Sequence, residues 1–232
     1  MNYIAIICAR SGSKGIKNKN ILKIKGIPLI GHSIIMAKSI KKISKVIVST
    51  DSKKIAKIAS QYGAEVPFLR PKKLSTDKSK EIDAWKHAIN FYVKKGLKFD
   101  AVVSMPCTAP LRKKIDIDKC INKFNTKKYD TVITVKKSSK NPFFNMVKKN
   151  KYNFYNIVNK VNKYIFNRQQ APQVFDVCTV CFISNCKFVL KSQNLFEGKV
   201  GGVIVPKERS IDIDDKLDFI LAKKIYENKI KF

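Results

Sequence analysis

Short apolar runs rich in β-branched residues alternate along this chain with segments whose apolar residues recur at the helical spacing of three and four. The first run, Tyr3–Cys8, is apolar at almost every position, which is typical of a strand buried on both faces of a parallel sheet. Strands that alternate with helices form a mainly parallel, doubly wound sheet with helices on both faces. Ligands of such α/β sheets bind at the carboxyl ends of the strands, so the loops that follow strands are the first places to search for a site.

The same pattern predicts the element bounds. Strands are predicted at 3–8, 46–50, 101–105, 131–135, 177–184 and 202–205. Helices are predicted at 28–40, 53–62, 82–93, 115–124, 186–191 and 215–228. Asp51 or Ser52 is expected to cap the second helix, and Asp215 the last one.

The length of 232 residues predicts a single domain spanning 1–232. Between about 138 and 175 the helical period disappears, and Asn-rich segments with scattered aromatic residues take its place. This segment is predicted to be an inserted β-rich arm.

Basic residues outnumber acidic ones by 48 to 17, for a formal net charge of +31. Such a charge is typical of proteins that bind nucleic acids or anionic surfaces. Here, however, only five of the basic residues are arginine, and the lysines are scattered along the whole chain instead of being concentrated with aromatic residues on one element. The high charge is therefore better explained by a general bias of the sequence toward lysine than by a basic binding face. No specific nucleic-acid partner is expected.

No apolar run approaches the roughly 18 residues of a membrane span, and the six cysteines do not suggest a secreted disulfide framework. These features predict a cytoplasmic protein with reduced thiols and no membrane contact. Cys178 and Cys181 form a C-x-x-C pair, but residues three apart in a strand point to opposite faces. Packing is therefore favoured over a zinc site for this pair.

A glycine-rich basic loop, RSGSKGIKNKN at 10–20, follows the first strand. Its glycines let the backbone approach a phosphate, its amides and hydroxyls can donate hydrogen bonds, and Arg10, Lys14 and Lys19 supply positive charge. The loop has neither the spacing of a Walker A motif nor that of a G-x-G-x-x-G dinucleotide fingerprint. It therefore predicts a triphosphate site of another type.

Three acidic residues lie in the segment IDIDD at 211–215. In extended backbone the side chains of Asp212 and Asp214 face the same side about 7 Å apart, close enough to converge on a hard divalent cation. Taken alone, the segment fits better with residues that cap and solvate the start of the last helix.

The loop ARSGSKGIKNKN at 9–20 is similar to the signature loop of the acylneuraminate cytidylyltransferases, or CMP-sialic acid synthetases, and the whole chain resembles this family. The resemblance implies a Rossmann-like nucleotidyltransferase fold of the nucleotide-diphospho-sugar transferase type. It implies that the triphosphate of CTP is bound by Arg10, Ser11, Gly12, Ser13, Lys14, Gly15, Lys19 and Asn20. Arg10 and Lys19 are implied to be catalytic, because they would offset the charge that develops on pyrophosphate. Asp212 and Asp214 match the family's Asp-x-Asp, which implies that both are catalytic and bind Mg²⁺.

Two further segments resemble parts of the family that contact the nucleotide base and the sugar. The first segment, LRPKKLSTD at 69–77, is similar to the family segment that closes over cytosine. This similarity implies that Arg70 and Ser79 contact the base. Glu81 occupies a position at which the family commonly has a small hydroxyl residue. PCTAPLR at 106–112 is similar to the family's PTSPLR, which implies that Thr108 contacts the substrate. Met105 occupies the position at which the family often has a sugar-binding glutamine, which implies that Met105 contacts the sugar.

The arm carries the last match, NRQQAP at 167–172, which is similar to the family's Arg-Gln-x-x-Pro. The resemblance implies that Arg168, with Gln169 beside it, binds the carboxylate of the sugar acid, a task suited to a planar guanidinium. It also implies that the arm reaches across a homodimer to complete the site.

The resemblance thus implies a cytoplasmic enzyme that activates a nonulosonic, sialic-acid-like α-keto sugar acid with CTP, for cell-surface polysaccharide biosynthesis. The anomeric hydroxyl would attack the α-phosphorus in line, with release of pyrophosphate. One alternative is a CMP-Kdo-type synthetase for an eight-carbon keto sugar acid, which the signature loop and the Arg-Gln pair disfavour. Another, of a different class, is a basic nucleic-acid-binding protein that keeps the fold without catalysis.

Overall fold

The computed structural model describes residues 1–12, 15–159 and 165–230. The strands are β1 Tyr3–Cys8, β2 Lys23–Ile24, β3 Ile27–Pro28, β4 Ile43–Ser49, β5 Ala101–Ser104, β6 Thr131–Lys137, β7 Val147–Lys149, β8 Tyr155–Ile157, β9 Phe175–Asn185 and β10 Val200–Ile204. The α-helices are α1 Leu29–Ser39, α2 Lys53–Gln61, α3 Glu81–Val93, α4 Lys114–Phe124, α5 Cys186–Lys191 and α6 Lys216–Tyr226.

The central sheet has six strands in the order β10-β6-β9-β5-β1-β4. Strand β1 is parallel to β4 and β5, and β10 is parallel to β6. Strand β9 is antiparallel to both of its neighbours, β5 and β6, so the other strands of this sheet all point the same way. The mainly parallel α/β fold that the alternation predicts is confirmed. The carboxyl ends of the parallel strands consequently meet along one edge of the sheet.

Strand β1 is buried on both faces of the sheet, as its apolar sequence predicts. Tyr3, Ala5 and Ile7 pack in one cluster that includes residues of α1 and α4. Ile4 and Ile6 pack on the other face, in a cluster that includes residues of α3 and α5. Burying an isoleucine side chain stabilises a fold by about 1.5–3 kcal/mol. This packing holds β1 rigidly, and so fixes the start of the loop that follows it.

A short hairpin, β2–β3, precedes α1 and was not predicted. Lys25 and Gly26 lie between the paired residues Ile24 and Ile27, and both have positive φ angles, 47° and 78°. Two such residues make a type I′ turn, the turn whose twist suits a tight hairpin. The Lys-Gly pair flanked by isoleucines is the signal that could have found it.

Of the two residues predicted as the cap of α2, Asp51 and Ser52, the structure identifies one. Ser52 caps this helix, because its hydroxyl accepts a hydrogen bond from the Ile55 amide at 3.3 Å. Asp215 caps α6 as predicted, in a reciprocal capping box with Asp218. Helix α6 ends at Tyr226, before the predicted end at 228, because Asn228 adopts a left-handed φ of 58°.

The predicted arm begins where β6 ends, at the same edge of the sheet as the carboxyl ends of the parallel strands. Its strands β7 and β8 pair as an antiparallel hairpin. Elsewhere asparagine side chains bind the backbone and make turns: Asn141 Oδ1 accepts from the Phe143 amide, and Asn150 Oδ1 from the Tyr152 amide, each at 2.9 Å. Residues 160–164 lie outside the described part. What is described of the arm is therefore built mostly of turns.

Large apolar side chains of the arm are exposed to solvent. Tyr152, Phe154 and Tyr155 are 66%, 68% and 67% exposed. Across the described residues, no helix has the length and apolar character needed to cross a membrane.

Candidate functional site

A cleft of about 490 Å³ lies at the carboxyl edge of the sheet. It is enclosed by the loop after β1, by the segment that leads into α3 and by Asp214, which follows β10. Its lining residues are Cys8, Arg10, Gly15, Lys19, Asn20, Arg70, Leu74, Thr76, Asp77, Ser79, Lys80, Glu81 and Asp214. Residues predicted from three distant parts of the sequence therefore share one cavity.

The first half of the basic loop is held by an aspartate at the end of the neighbouring strand. The Ser11 amide donates to Asp51 Oδ1 at 2.8 Å, and the Ser11 hydroxyl donates to Asp51 Oδ2 at 2.7 Å. Burial of Asp51 disfavours its charge, but the hydrogen bonds from Ser11, together with the Asp51 backbone amide and the charge of Arg70, hold the pKa of Asp51 below its ordinary value. Asp51 was predicted only as a possible helix cap, and its role in anchoring the loop was missed.

The second half of the loop is tied to the segment after β10. Lys19 Nζ donates to the Ile213 carbonyl at 2.6 Å and to Asp214 Oδ1 at 3.0 Å. Asn20 Nδ2 donates to the Arg10 carbonyl at 3.0 Å, which links the two ends of the loop. Ser13 and Lys14, predicted as triphosphate ligands, lie outside the described residues.

Gly15 packs directly on the backbone of the acidic segment. A Cβ atom at Gly15 would lie 2.0 Å from the Asp214 carbonyl oxygen, closer than real atoms approach. Only glycine allows the loop to reach this position. Around the corresponding position at Gly12, in the same loop, no atom of the described residues beyond its chain neighbours lies within 4 Å.

The two aspartates of the predicted cation site differ in their surroundings. Asp214 is 77% exposed and pairs with Lys19 at 3.0 Å. Asp212 Oδ1 is buried and has no hydrogen-bond partner among the described residues. A buried carboxylate oxygen left unpaired costs free energy, which a bound cation would recover. A hard divalent cation held by Asp212 and Asp214, with further oxygens from a phosphate, fits this donor set.

Two arginines line the cleft on different sides. Arg10 Nη1 forms an ion pair with Asp77 at 2.6 Å across the cleft. Arg70 is only 6% exposed, and its Nε donates to the Ser75 hydroxyl at 3.0 Å. Ser79 keeps its segment folded, since its hydroxyl donates to the Lys73 carbonyl at 3.0 Å.

Glu81 also lines the cleft, although it was not among the predicted site residues. It is exposed to the cleft, and its Oε1 accepts hydrogen bonds from Ser104 Oγ at 2.9 Å and Trp85 Nε1 at 3.2 Å. The protein packed around the carboxyl disfavours its charged form and raises the pKa of Glu81, although these hydrogen bonds act in the opposite direction. The sequence feature that could have identified Glu81 as a site residue is its carboxylate, because the family resemblance predicts a small hydroxyl residue at this position.

The loop after β5 packs beside the acidic segment. The Ile213 amide donates to the Thr108 carbonyl at 2.8 Å, and the Thr108 hydroxyl lies 3.4 Å from that of Thr179. Thr108 is thus adjacent to the predicted cation site. Met105, in contrast, is fully buried in the hydrophobic core, so its side chain presents no accessible surface to a ligand.

Arg112, at the end of this loop, is a buried cation. It is 4% exposed; its Nη1 donates to Ser33 Oγ at 2.7 Å, and its Nη2 donates to the Pro106 carbonyl. Nη2 also donates to the Thr179 carbonyl at 3.3 Å. Burial lowers the pKa of Arg112 to about 10. Arg112 therefore joins α1, the loop after β5 and β9 behind the site.

The predicted carboxylate ligands Arg168 and Gln169 lie outside the main cleft. They line a second cleft of about 420 Å³ in the arm, and Arg168 Nη2 donates to the Ser139 carbonyl at 2.7 Å. Within the described part of one chain, neither Asp212 nor Arg168 is among the residues that line the main cleft. The predicted site residues that the structure brings together there are Arg10, Gly15, Lys19, Asn20, Arg70, Ser79 and Asp214.

Comparisons with known proteins cover most of the chain. A family model described as cytidylyltransferase matches residues 4–176. The chain is 34% identical over 229 residues to the post-translational flagellin modification protein B of Campylobacter coli, covering 97% of this chain and 95% of that protein. It is 33% identical over 222 residues to the CMP-N,N'-diacetyllegionaminic acid synthase of Campylobacter jejuni, covering 95% and 93%. It is 34% identical over 227 residues to the N-acylneuraminate cytidylyltransferase of Escherichia coli, covering 97% of this chain and 52% of that protein.

Among solved structures, a CMP:2-keto-3-deoxy-manno-octonic acid synthetase complexed with CTP matches with a TM-score of 0.71. The match covers 99% of this chain and 100% of that chain, at 14% sequence identity. Structural similarity at this sequence identity supports the fold assignment. The substrate has to be inferred from other observations.

Proposed function

The chain belongs to the cytidylyltransferase family, and from this premise we infer that it transfers CMP from CTP to a nonulosonic, sialic-acid-like α-keto sugar acid and releases pyrophosphate. The observation that carries this proposal is the cleft in which Lys19 of the glycine-rich loop meets Asp214. The proposal is supported by near full-length similarity to a CMP-N,N'-diacetyllegionaminic acid synthase.

The charges of the cleft suit a nucleoside triphosphate. Arg10 and Lys19 stand on the loop that faces the cavity, and both are paired with carboxylates, Asp77 and Asp214. A triphosphate has more negative charge than either carboxylate, so it would compete for both cations. As the bond between the α- and β-phosphates breaks, charge grows on the leaving pyrophosphate, and the two cations would stabilise it there.

Magnesium is the proposed cofactor, and Asp212 and Asp214 are the residues that would hold it. The unpaired, buried Oδ1 of Asp212 supports this assignment. When bound, the ion would offset charge on the phosphate oxygens and lower the pKa of the attacking hydroxyl. The Gly15 contact keeps Asp214 against the phosphate-binding loop, so this carboxylate and the loop would face one triphosphate.

We also propose that the enzyme is a homodimer in which the arm completes the site. Arg168 and Gln169 lie in the arm, away from the triphosphate cleft of their own chain. The exposed aromatic side chains Tyr152, Phe154 and Tyr155 supply an apolar surface that a second copy would cover. The consumption of CTP and the six free cysteine thiols fit a cytoplasmic enzyme.

The dimer predicts that Phe154→Glu yields a monomer, because a charge placed in an apolar interface is costly to desolvate. Phe196→Glu is the matched control, since Phe196 is 64% exposed and lies outside the arm. Sedimentation velocity should give twice the chain mass for the unmodified protein and for the control, and the single-chain mass for Phe154→Glu. Equal masses for all three proteins would contradict the role assigned to the arm.

The function is tested by pyrophosphate release from CTP and Mg²⁺ with a panel of N-acetylneuraminate, legionaminate, pseudaminate and Kdo. We expect release with a nine-carbon acid and little with Kdo. Preferential release with Kdo would assign the eight-carbon substrate instead. If no acid supports release while polynucleotides bind tightly with a steep salt dependence, the chain is a nucleic-acid-binding protein and the proposal is wrong.

A further inference from the structure

The carboxylate of Glu81 is fixed at the wall of the cleft by two buried donors. Its Oε1 accepts from Ser104 Oγ at 2.9 Å and from Trp85 Nε1 at 3.2 Å. Ser104 and Trp85 are 0% and 2% exposed, so neither donor can move without disturbing the core. Glu81 Oε2 has no hydrogen-bond partner in the described part of the chain, and the residue is exposed to the cleft.

A buried donor lies on the same wall. Arg70 is 94% buried, and among the described residues only its Nε has a hydrogen-bond partner, the hydroxyl of Ser75. Its two terminal nitrogens have no hydrogen-bond partner among residues 1–12, 15–159 and 165–230. Because both side chains line one cavity, unpaired guanidinium donors and an unpaired carboxylate acceptor face the same ligand.

The cleft thus presents two chemically different sets of groups. Gly15 and Lys19 supply the glycine backbone and the cation that suit phosphates. Arg70 and Glu81 supply hydrogen-bond donors together with an acceptor, which suits a planar polar ring that both accepts and donates better than a second phosphate, whose oxygens only accept.

Cytosine and uracil differ at the edge that such a pair would contact. Cytosine has acceptors at O2 and N3 and a donor amino group at C4, whereas uracil has a donor at N3 and an acceptor oxygen at C4. Building on the proposed use of CTP, we propose that Glu81 is a specificity-determining residue that accepts a hydrogen bond from the cytosine amino group and rejects the O4 of uracil, while Arg70 donates to the other edge.

The test compares CTP and UTP in the unmodified protein and in Glu81→Gln. A carboxamide can rotate and donate to O4, so the variant should lose most of its preference. We expect the ratio of kcat/KM for CTP to that for UTP to fall about 10- to 100-fold in Glu81→Gln. The triphosphate of the pyrimidin-2-one ribonucleoside, which lacks the amino group, should be a poor substrate of the unmodified protein and should differ less from CTP in the variant.

Glu65→Gln is the matched control. Glu65 accepts hydrogen bonds from Lys45 and from Tyr92 but lies outside the cleft, so its replacement should leave the nucleotide ratio unchanged. If Glu81→Gln lowers kcat/KM equally for CTP and UTP, Glu81 only supports the local structure and the proposal is overturned.

Binding can be measured without turnover, because Trp85 is the single tryptophan of the chain and contacts Glu81. Its fluorescence should report the dissociation constants of CTP and UTP, with the same 10- to 100-fold change in their ratio. Binding of CTP with an unchanged ratio in Glu81→Gln would overturn the role of Glu81 and leave the proposed function intact. Absence of CTP binding to the unmodified protein would overturn both.

Discussion

Replacing Asp212 by asparagine is expected to lower kcat/KM for pyrophosphate release by about a thousandfold, or roughly 4 kcal/mol of transition-state stabilisation. The substitution keeps the shape of the side chain and removes its charge. Because Asp212 Oδ1 is buried and lacks a hydrogen-bond partner among the described residues, a cation is the partner that its position suits. The measurement is initial-rate kinetics over a range of Mg²⁺ concentrations, in which the variant should also need more Mg²⁺ for half of its maximal rate.

Asp215→Asn is the matched control for this substitution. Asp215 lies in the same acidic segment, but its carboxylate accepts from the Asp218 amide at 2.9 Å and caps α6. Asparagine caps helices about as well as aspartate, so the control should retain nearly full activity. Equal losses in both variants would mean that the segment acts through its fold. Full activity of Asp212→Asn would place the metal elsewhere.

Replacing Gly15 by alanine is expected to weaken CTP binding and lower kcat/KM about a hundredfold. The added Cβ would lie 2.0 Å from the Asp214 carbonyl oxygen, and backbone cannot yield as a flexible side chain can. The loop would have to move away from the acidic segment, and a shift of about 1 Å in such a site can cost a factor of about a hundred. Titration of the protein with CTP, followed by kinetics, measures both effects.

Gly202→Ala provides the comparison at a glycine outside the cleft. Gly202 lies in β10, and a Cβ atom there would meet side-chain atoms of Val135 at 3.5 and 3.8 Å, which is ordinary van der Waals contact. This variant should bind CTP like the unmodified protein, apart from a small gain in stability from the less flexible unfolded chain. A hundredfold loss in Gly202→Ala, or none in Gly15→Ala, would contradict the steric role assigned to Gly15.

The parts of the fold that could be predicted from the sequence depend on local patterns. The apolar run of β1, the helical spacing in α3 and the capping box at Asp215 are each encoded within a few residues, and each is present in the structure. The same holds for the basic loop, whose position follows from the rule that α/β ligands bind at the carboxyl ends of strands.

The parts that could not be predicted depend on contacts between distant residues. Lys19 and Asp214 are 195 residues apart, and no local pattern indicates that they pair. The steric need for glycine at position 15 comes from that same contact. Arg112 resembles a surface cation in sequence, yet it is buried because neutral acceptors from three elements converge on it. The resemblance to a family identified the motifs. The residues that contact each motif could be identified only from the packing of the folded chain.

The most direct test of the proposed reaction is the ³¹P NMR spectrum of its products. The protein would be incubated with CTP, Mg²⁺ and the acid that supports the fastest pyrophosphate release. The account predicts equal amounts of pyrophosphate and of one new phosphodiester, in which the α-phosphorus of CTP joins cytidine to the sugar acid, with neither product formed by Asp212→Asn. Formation of CDP and inorganic phosphate, or CTP that remains unchanged with every acid, would contradict it.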